Sequence, residues 1–297
     1  MAASAPRRLA WLAVAALGLV MMLGNIVSAT GSGLGCPDWP LCHGRLIPPA
    51  GAQIWIEFRH RLAVPLFSVL LVATAVLTLR RAPGPGLRRV ALALLTLLGI
   101  QIALGGATVL LGLSAAVSTV HLVTALTILG LLLAVCASGA RPLAGPDLPR
   151  VRRLATAGLA ALLVQLVLGG LVRHTGAGLA CPDFPLCAGD VVPAHALGLL
   201  HAAHRWLGVA LLGALVPLAL AARASRLRGV GIALGALALL QVALGIATVL
   251  GQLQPGLRAA HAAGGYALWG LLVWIALRAG RGAGARSLAH EALGAKA

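Results

Sequence analysis

The chain has 297 residues, of which 60% are hydrophobic and 10% are charged, and its mean hydropathy is +0.98. A soluble domain does not need this much apolar surface, so the composition excludes an ordinary globular protein. The chain also carries 23 Lys and Arg against 6 Asp and Glu, a net charge of +17. In a soluble protein that excess would indicate a nucleic-acid partner, so the position of the charges has to be examined.

Eight apolar runs are each long enough to cross about 30 Å of hydrocarbon as a helix that rises about 1.5 Å per residue. They are residues 9–29, 53–79, 90–111, 115–138, 154–172, 194–221, 229–251 and 257–277. The sequence therefore predicts an all-α membrane protein with eight transmembrane helices. The first run follows two arginines, as a secretory leader does, but it is longer than the roughly 7–15 apolar residues of a leader. We expect it to be retained as a span.

The cations indicate the orientation of these spans. With eight spans the two termini share a side, and the segments on that side hold 17 of the 23 Lys and Arg. Cytoplasmic segments of membrane proteins are enriched in Lys and Arg, so both termini are predicted to be cytoplasmic and loops 30–52 and 174–193 to face outward. The positive charge is then a topology signal of a multi-pass plasma-membrane protein, and we expect no nucleic-acid partner.

The chain contains an internal repeat. TGSGLGCPDWPLCHG at 30–44 recurs as TGAGLACPDFPLCAG at 175–189, and the QxxLGxxTVL pattern at 101–110 recurs at 241–250. Because each copy has an even number of spans, both insert in the same orientation. The prediction is two tandem parallel-repeat four-helix bundles, 1–145 and 146–280, with a cytoplasmic tail at 281–297. Four-helix bundles hold cofactors between facing helices, so two comparable sites are expected.

Four histidines recur with the repeat: His60 with His204 and His121 with His261. Each follows the predicted outer start of its helix by about 5–10 residues, which places it roughly 10 Å below the outer surface. A lone intramembrane histidine is usually a hydrogen-bonded core residue, but two repeated pairs favour a ligand role. Two imidazoles are too few for a closed zinc site and suit the two axial positions of a haem iron. Two haems at one depth argue against electron transfer across the membrane.

Four arginines cluster near these histidines. A haem carries anionic propionates that need cations near the water interface, so these side chains are candidate propionate contacts. Helix capping or snorkelling is the alternative. The four are Arg61, Arg173, Arg205 and Arg258.

One position differs between the copies. Glu57 stands three residues before His60, whereas His201 stands three residues before His204. Residues at i and i+3 share a helix face, and Glu57 is the one carboxylate within a predicted span. It could simply pair with Arg61 at i+4, or it could lie beside a haem edge and stabilise positive charge or move a proton. On the second reading the chemistry belongs to the N-terminal half and an electron-transfer haem to the C-terminal half.

Two cysteine pairs, Cys36 with Cys42 and Cys181 with Cys187, lie in the predicted outer loops. The outer face of a bacterial-type membrane is oxidising, so disulfides are the default expectation. A redox role, or contact with an arriving substrate, is the alternative.

Over about residues 8–279 these features resemble the haem A synthase family, eight-helix membrane enzymes of cytochrome oxidase biogenesis. The resemblance rests on the TGSGLGCPDWPLCHG loop, Glu57-x-x-His60-Arg61, the QxxLGxxTVL helices, His121, His204-Arg205 and His261. It implies that haem O is oxidised at a ring methyl, through a hydroxymethyl stage, to the formyl group of haem A. Ser28 departs from the family pattern, since many relatives carry a basic residue there.

The resemblance also implies the role of each site residue. His60 and His121 belong to the substrate haem site, His204 and His261 ligate a haem b cofactor, and Glu57 is essential for the oxidation. Cys36 and Cys42 are implied to form an outer-loop disulfide. Expected partners are haem O, membrane lipid, an unidentified electron donor or acceptor, a haem O synthase and further copies of the chain. The rival classes are a haem-binding electron carrier or haem-delivery protein, and a membrane thiol oxidoreductase.

Overall fold

The structure, a computed structural model, describes residues 4–81, 84–143, 145–223 and 227–294, with side chains described as far as residue 280. Its helices are α1 (Ser4–Ala29), α2 (Ala52–Arg81), α3 (Pro85–Leu110), α4 (Ala115–Ala137), α5 (Leu148–His174), α6 (Ala196–Arg223), α7 (Arg228–Leu250) and α8 (Pro255–Gly294). A short 3₁₀ turn at Ala177–Leu179 follows α5. Within the described ranges the β-pairing consists of two isolated bridges.

The predicted all-α membrane fold is confirmed. In the described part of the chain, eight helices are long and apolar enough to cross a membrane. The helices extend beyond the apolar runs, as α2 does to Arg80 and Arg81, because arginine stems lie along apolar surface while the charge stays in water. Helix α8 continues to Gly294, so most of the predicted tail 281–297 is helical. The last three tail residues lie outside the described residues.

The helices pack as two neighbouring sets of four. In the first set α1 contacts α2 and α4, and α3 contacts α2 and α4. In the second set α5 contacts α6 and α8, and α7 contacts α6 and α8. Helices α1 and α4 of the first set meet α8, and α4 also meets α5, so these four helices form the boundary between the sets.

Each set has its own buried apolar core. The first core is built almost wholly from α1 to α4, with Leu71, Leu94 and Leu126 fully buried. The second is built from α5 to α8, with Leu218 and Leu272 fully buried. Outward-facing leucines and valines stay exposed on both sets, as expected for surface that meets lipid rather than water. The two loops that follow α1 and α5 lie at the same end of the helices as the four repeated histidines.

Candidate functional site

The four repeated histidines occupy equivalent places in the fold. They lie on α2, α4, α6 and α8, six to eight residues after the start of each helix. In the second set the rings of His204 and His261 face each other, with centroids 6.3 Å apart and planes at 87°. His60 and His121 are near enough to interact electrostatically, but these two rings are not in contact in the described structure. The predicted pairs are thus brought together, more tightly in the second set.

His204 and His261 are the two imidazoles that the second set brings into ring contact. No cluster of three or more His, Cys, Asp or Glu able to hold a metal occurs among the described residues. Two imidazoles are too few for a closed zinc site, and imidazole is a donor by which proteins hold a haem iron.

Backbone carbonyls select the tautomer of two of the rings. His60 Nδ1 lies 3.1 Å from the oxygen of Val20, and His261 Nδ1 lies 3.2 Å from the oxygen of Gln241. A carbonyl oxygen only accepts, so Nδ1 carries the proton in both rings. The lone pair of Nε2 is then free to bind a metal, which is the usual arrangement of a ligating histidine.

The two repeated glutamines, Gln101 and Gln241, make different contacts in the two sets of helices. Gln241 Nε2 donates to the backbone oxygen of His261 at 2.7 Å and leaves the imidazole nitrogens free of its amide. Its counterpart Gln101 instead places Nε2 3.4 Å from Nε2 of His121. In the first set an amide therefore competes for the nitrogen that would bind a metal. The QxxLGxxTVL repeat contains both glutamines, but the repeat does not indicate that their contacts differ.

Each histidine ring also packs against a glycine of the preceding helix, a feature that the sequence reasoning missed. The ring carbon Cε1 of each histidine lies so close that a Cβ on the glycine would be 2.9 to 3.4 Å from it. The pairs are Gly24 with His60, Gly105 with His121, Gly169 with His204, and Gly245 with His261. The glycines recur at the repeat offsets of 145 and 140 residues, a signal that was present in the sequence.

Glu57 is buried, with 3% of its surface exposed, and both of its carboxylate oxygens are engaged. Oε2 accepts the backbone N–H of Cys36 at 2.8 Å, and Oε1 accepts from Arg61 Nη2 at 2.5 Å. The Glu57–Arg61 ion pair considered from the sequence is therefore present. It is mostly shielded from solvent, which sets it apart from the weak ion pairs of protein surfaces.

His201 takes over one of these contacts in the second copy. It is buried, and its Nδ1 accepts the backbone N–H of Cys181 at 3.4 Å, as Glu57 accepts that of Cys36. The two positions thus share one structural task, holding the first cysteine of the outer loop. The two positions differ because the acceptor in the first set is a carboxylate, whereas the acceptor in the second set is an imidazole.

Arg61 and Arg205 fasten the outer loops to their helices. Arg61 donates to the backbone oxygens of Asp38 and Leu41, each at 2.7 Å, and to that of Cys36 at 2.8 Å. Arg205 donates to the backbone oxygen of Cys181 and, at 2.9 Å, to that of Leu186. Arg61 Nε is bound to Glu57, whereas Arg205 Nε is buried without a partner because His201 offers no carboxylate. These loop contacts were not predicted, since carbonyl acceptors leave no mark in a sequence.

Arg173 and Arg258 reach across the boundary between the two sets. Arg173 donates to Asn25 twice, to Oδ1 at 2.6 Å and to the backbone oxygen at 2.8 Å. Asn25 Nδ2 donates to the oxygen of Ala259 at 2.7 Å, and Arg258 donates to that of Ala29 at 3.0 Å. Arg173 Nε is buried with no hydrogen-bond partner among the described residues, and the Arg173 side chain is near enough to His261 to interact with it electrostatically.

Both predicted cysteine pairs are at bonding distance. The sulfur atoms of Cys36 and Cys42 are 1.98 Å apart, and those of Cys181 and Cys187 are 2.02 Å apart. In the first loop Asp38 accepts the N–H groups of His43 and Gly44, each at 2.6 Å. The Gly44 N–H, ahead of that of His43, holds the pKa of the Asp38 carboxyl below its ordinary value, although desolvation opposes the shift. The carboxylate form therefore stabilises the turn that closes the disulfide.

Comparison with known proteins places this arrangement in a family. The family model described as cytochrome oxidase assembly protein matches residues 7–273. The Heme A synthase of Rhodospirillum centenum is 32% identical over 337 aligned positions, which cover 92% of this chain and 88% of the relative. The chain belongs to the haem A synthase family. The family match includes all four histidines, Glu57 and both cysteine pairs.

Other members of the haem A synthase family align over most of their length. The Heme A synthase of Shouchella clausii is 34% identical over 248 positions, covering 78% of this chain and 82% of the relative. That of Shewanella oneidensis is 28% identical over 306 positions, covering 86% and 91%. The similarity therefore extends over both sets of helices and is not confined to one motif.

Proposed function

We propose that this chain oxidises the ring methyl group of haem O to a formyl group and so produces haem A, with the substrate among α1–α4 and a haem b cofactor among α5–α8. With water as the oxygen source, each methyl group gives up four electrons and four protons, and an electron acceptor outside the chain takes the electrons. The observation that carries the proposal is the exchange of Glu57 for His201 between two repeated histidine sites. A carboxylate in only one of two repeated sites indicates that the sites do different work. The name of the relatives, Heme A synthase, supports haem A as the product.

The residues of the second set fit a haem. His204 and His261, whose rings are in contact, would hold the iron. The orphaned Nε donors of Arg173 and Arg205 would bind the anionic propionates. Haem b bound there supplies one-electron redox chemistry. Arg258 lies at the same boundary and adds positive charge, and the apolar core below the histidines excludes water.

The first set suits a haem that must leave. His60 presents a free Nε2, but Nε2 of His121 is engaged by Gln101, so an arriving iron has to displace that amide. This competition weakens the hold on the ligand, which a product-releasing site needs and a resident-cofactor site does not. Arg61 lies beside the pair with every donor nitrogen occupied, and it would contact a propionate only by giving up a loop carbonyl.

Glu57 is the candidate catalytic residue. Arg61 and the Cys36 N–H hold its carboxylate in one position, one helical turn before His60. A fixed negative charge in a low-dielectric site stabilises positive charge that develops on a nearby substrate, and its oxygens can take up a proton from the methyl group being oxidised. His201, as a neutral acceptor, supplies no negative charge at the equivalent position.

The proposal includes an orientation of the chain in the membrane. The charge asymmetry supports an orientation in the plasma membrane with both termini cytoplasmic and the histidines toward the outer face. Residues 1–145 would then be the substrate unit and 146–280 the cofactor unit. A haem O synthase in the same membrane is the natural source of so apolar a substrate.

The test is to extract and identify the haems bound to protein expressed with and without a haem O synthase. We expect haem b alone in its absence, and haem b together with haem O and haem A in its presence. Protein that holds no haem in either case would overturn the proposal and favour a thiol oxidoreductase. Haem O bound but never converted would favour a haem carrier.

A further inference from the structure

The geometry points to Gly24, Gly105, Gly169 and Gly245 as positioning residues that set the placement of the four ligand imidazoles. This inference rests on the proposed function, because it assigns those imidazoles to haem iron. The relevant observation is the recurrence of one contact at four places. Each glycine lies on an odd-numbered helix, and each faces Cε1 of the histidine on the next helix.

Three of the four contacts are too tight for an added methyl group unless the ring moves. A Cβ at Gly24 or Gly169 would lie 2.9 Å from Cε1 of His60 or His204, and one at Gly245 would lie 3.1 Å from Cε1 of His261. Ordinary Cβ contacts are 3.4 Å or longer, so the first two rings would have to move by about 0.5 Å. At Gly105 the distance to His121 is 3.4 Å, which is already an ordinary contact.

A movement of the ring displaces the donor atom. The carbon Cε1 lies between the two ring nitrogens, so a push on it shifts Nε2, the atom that would bind iron. His60 and His261 are also held through Nδ1 by carbonyls of the preceding helices, so at these two rings the glycine and the carbonyl together fix the position and the rotation that a metal ligand requires. Nδ1 of His204 has no hydrogen-bond partner among the described residues, so at that ring no such bond assists the contact with Gly169.

Each added methyl group should affect only the haem site of its own set of helices. The effect should be smaller where the contact between the added Cβ and the ring is longer. Gly169→Ala displaces a ligand of the second site, and Gly24→Ala displaces a ligand of the first. Gly245→Ala has a smaller effect, and Gly105→Ala has the smallest. Gly18 in α1 and Gly213 in α6 have no atom within 4 Å of an added Cβ, so Gly18→Ala and Gly213→Ala are matched controls for the gain in helix propensity.

The experiment uses the full-length protein purified in detergent, with haem b as the probe. Electron paramagnetic resonance g-values, the reduction potential and the dissociation constant of haem b are measured for the wild type, Gly169→Ala, Gly24→Ala and the two controls. We expect Gly169→Ala to change the g-values and weaken haem b binding about five- to hundredfold, as overpacking of a filled site does. Gly24→Ala and both controls should leave haem b unchanged.

Gly24→Ala is then tested with haem O, for which it should lower the occupancy of the first site. Wild-type g-values and haem b affinity in Gly169→Ala would overturn the inference, as would equal changes in Gly169→Ala and Gly213→Ala. If Gly169→Ala does not fold, Gly245→Ala, with its looser contact, provides the same comparison. Failure of the proposed function is read from the wild type alone, which would then bind no haem or would bind haem O without converting it.

Discussion

Replacing Glu57 by histidine separates its structural task from its chemical one. The variant copies the second half of the same chain, where His201 accepts the Cys181 N–H as Glu57 accepts that of Cys36. Glu57→Ala serves for comparison, because it removes both the acceptor and the negative charge. The reciprocal change, His201→Glu, places a carboxylate beside the unsatisfied Nε of Arg205.

The expected losses of stability follow from the contacts. Glu57→Ala leaves the Cys36 N–H without an acceptor and removes the carboxylate partner of Arg61, but Arg61 keeps three backbone carbonyls. We expect a cost of about 2–4 kcal/mol, between that of a buried unsatisfied donor and that of a broken buried ion pair. Glu57→His restores the acceptor, so its cost should be smaller, about 1–2 kcal/mol.

The rate of haem O oxidation should depend on the carboxylate at position 57 and not on the stability of the variant. Both Glu57 variants should lower the rate of haem O oxidation by about 10²–10⁴-fold, the range for loss of a group that acts on a proton or a developing charge. Both should retain haem b, and His201→Glu should retain conversion. The assay is chromatographic quantification of haem O and haem A together with thermal unfolding in detergent. Conversion at the wild-type rate in Glu57→His would refute the reasoning.

Two further predictions concern the boundary between the helix sets and the outer loops. Asn25→Ala removes the acceptor of Arg173 and the donor to Ala259, so it should lower the free energy of unfolding by about 2–4 kcal/mol; Trp269→Phe, which removes a neutral bond from α8 to α4, should cost about 1 kcal/mol. Equal losses, measured by denaturant unfolding, would contradict the role given to Asn25. Because the folded-state pKa of Asp38 is lowered from 3.8, its carboxylate contributes stability above that value and loses it as the pH falls through the folded-state pKa. The difference in thermal stability between wild type and Asp38→Asn should thus be constant from about pH 5 to 8 and shrink below about pH 4; a difference that grows on acidification would count against this turn contact.

The sequence predicted those parts of the molecule that follow from periodicity and repetition. Long apolar runs leave few alternatives to membrane helices, and the repeat offsets predicted equivalent positions for His60, His121, His204 and His261. The two cysteine pairs were predictable because they lie in the repeated loops on the side of the membrane that favours disulfides.

Contacts between a side chain and the backbone were not predictable. Arg61 and Arg205 were expected near propionates, yet the structure shows them bound to loop carbonyls, and every residue offers such an acceptor whatever its identity. Asn25 looked like any small polar residue in a span. Its partners depend on how α1 meets α5 and α8, which intramembrane packing decides and the local pattern does not.

The most direct test of the central claim is the haem content of four single variants expressed with a haem O synthase. We expect His204→Ala and His261→Ala to lose haem b. We expect His60→Ala and His121→Ala to keep haem b but to accumulate no haem A. Retention of haem b with an unchanged low-spin spectrum in both His204→Ala and His261→Ala would contradict the proposed ligands, as would loss of haem b from the two N-terminal variants alone.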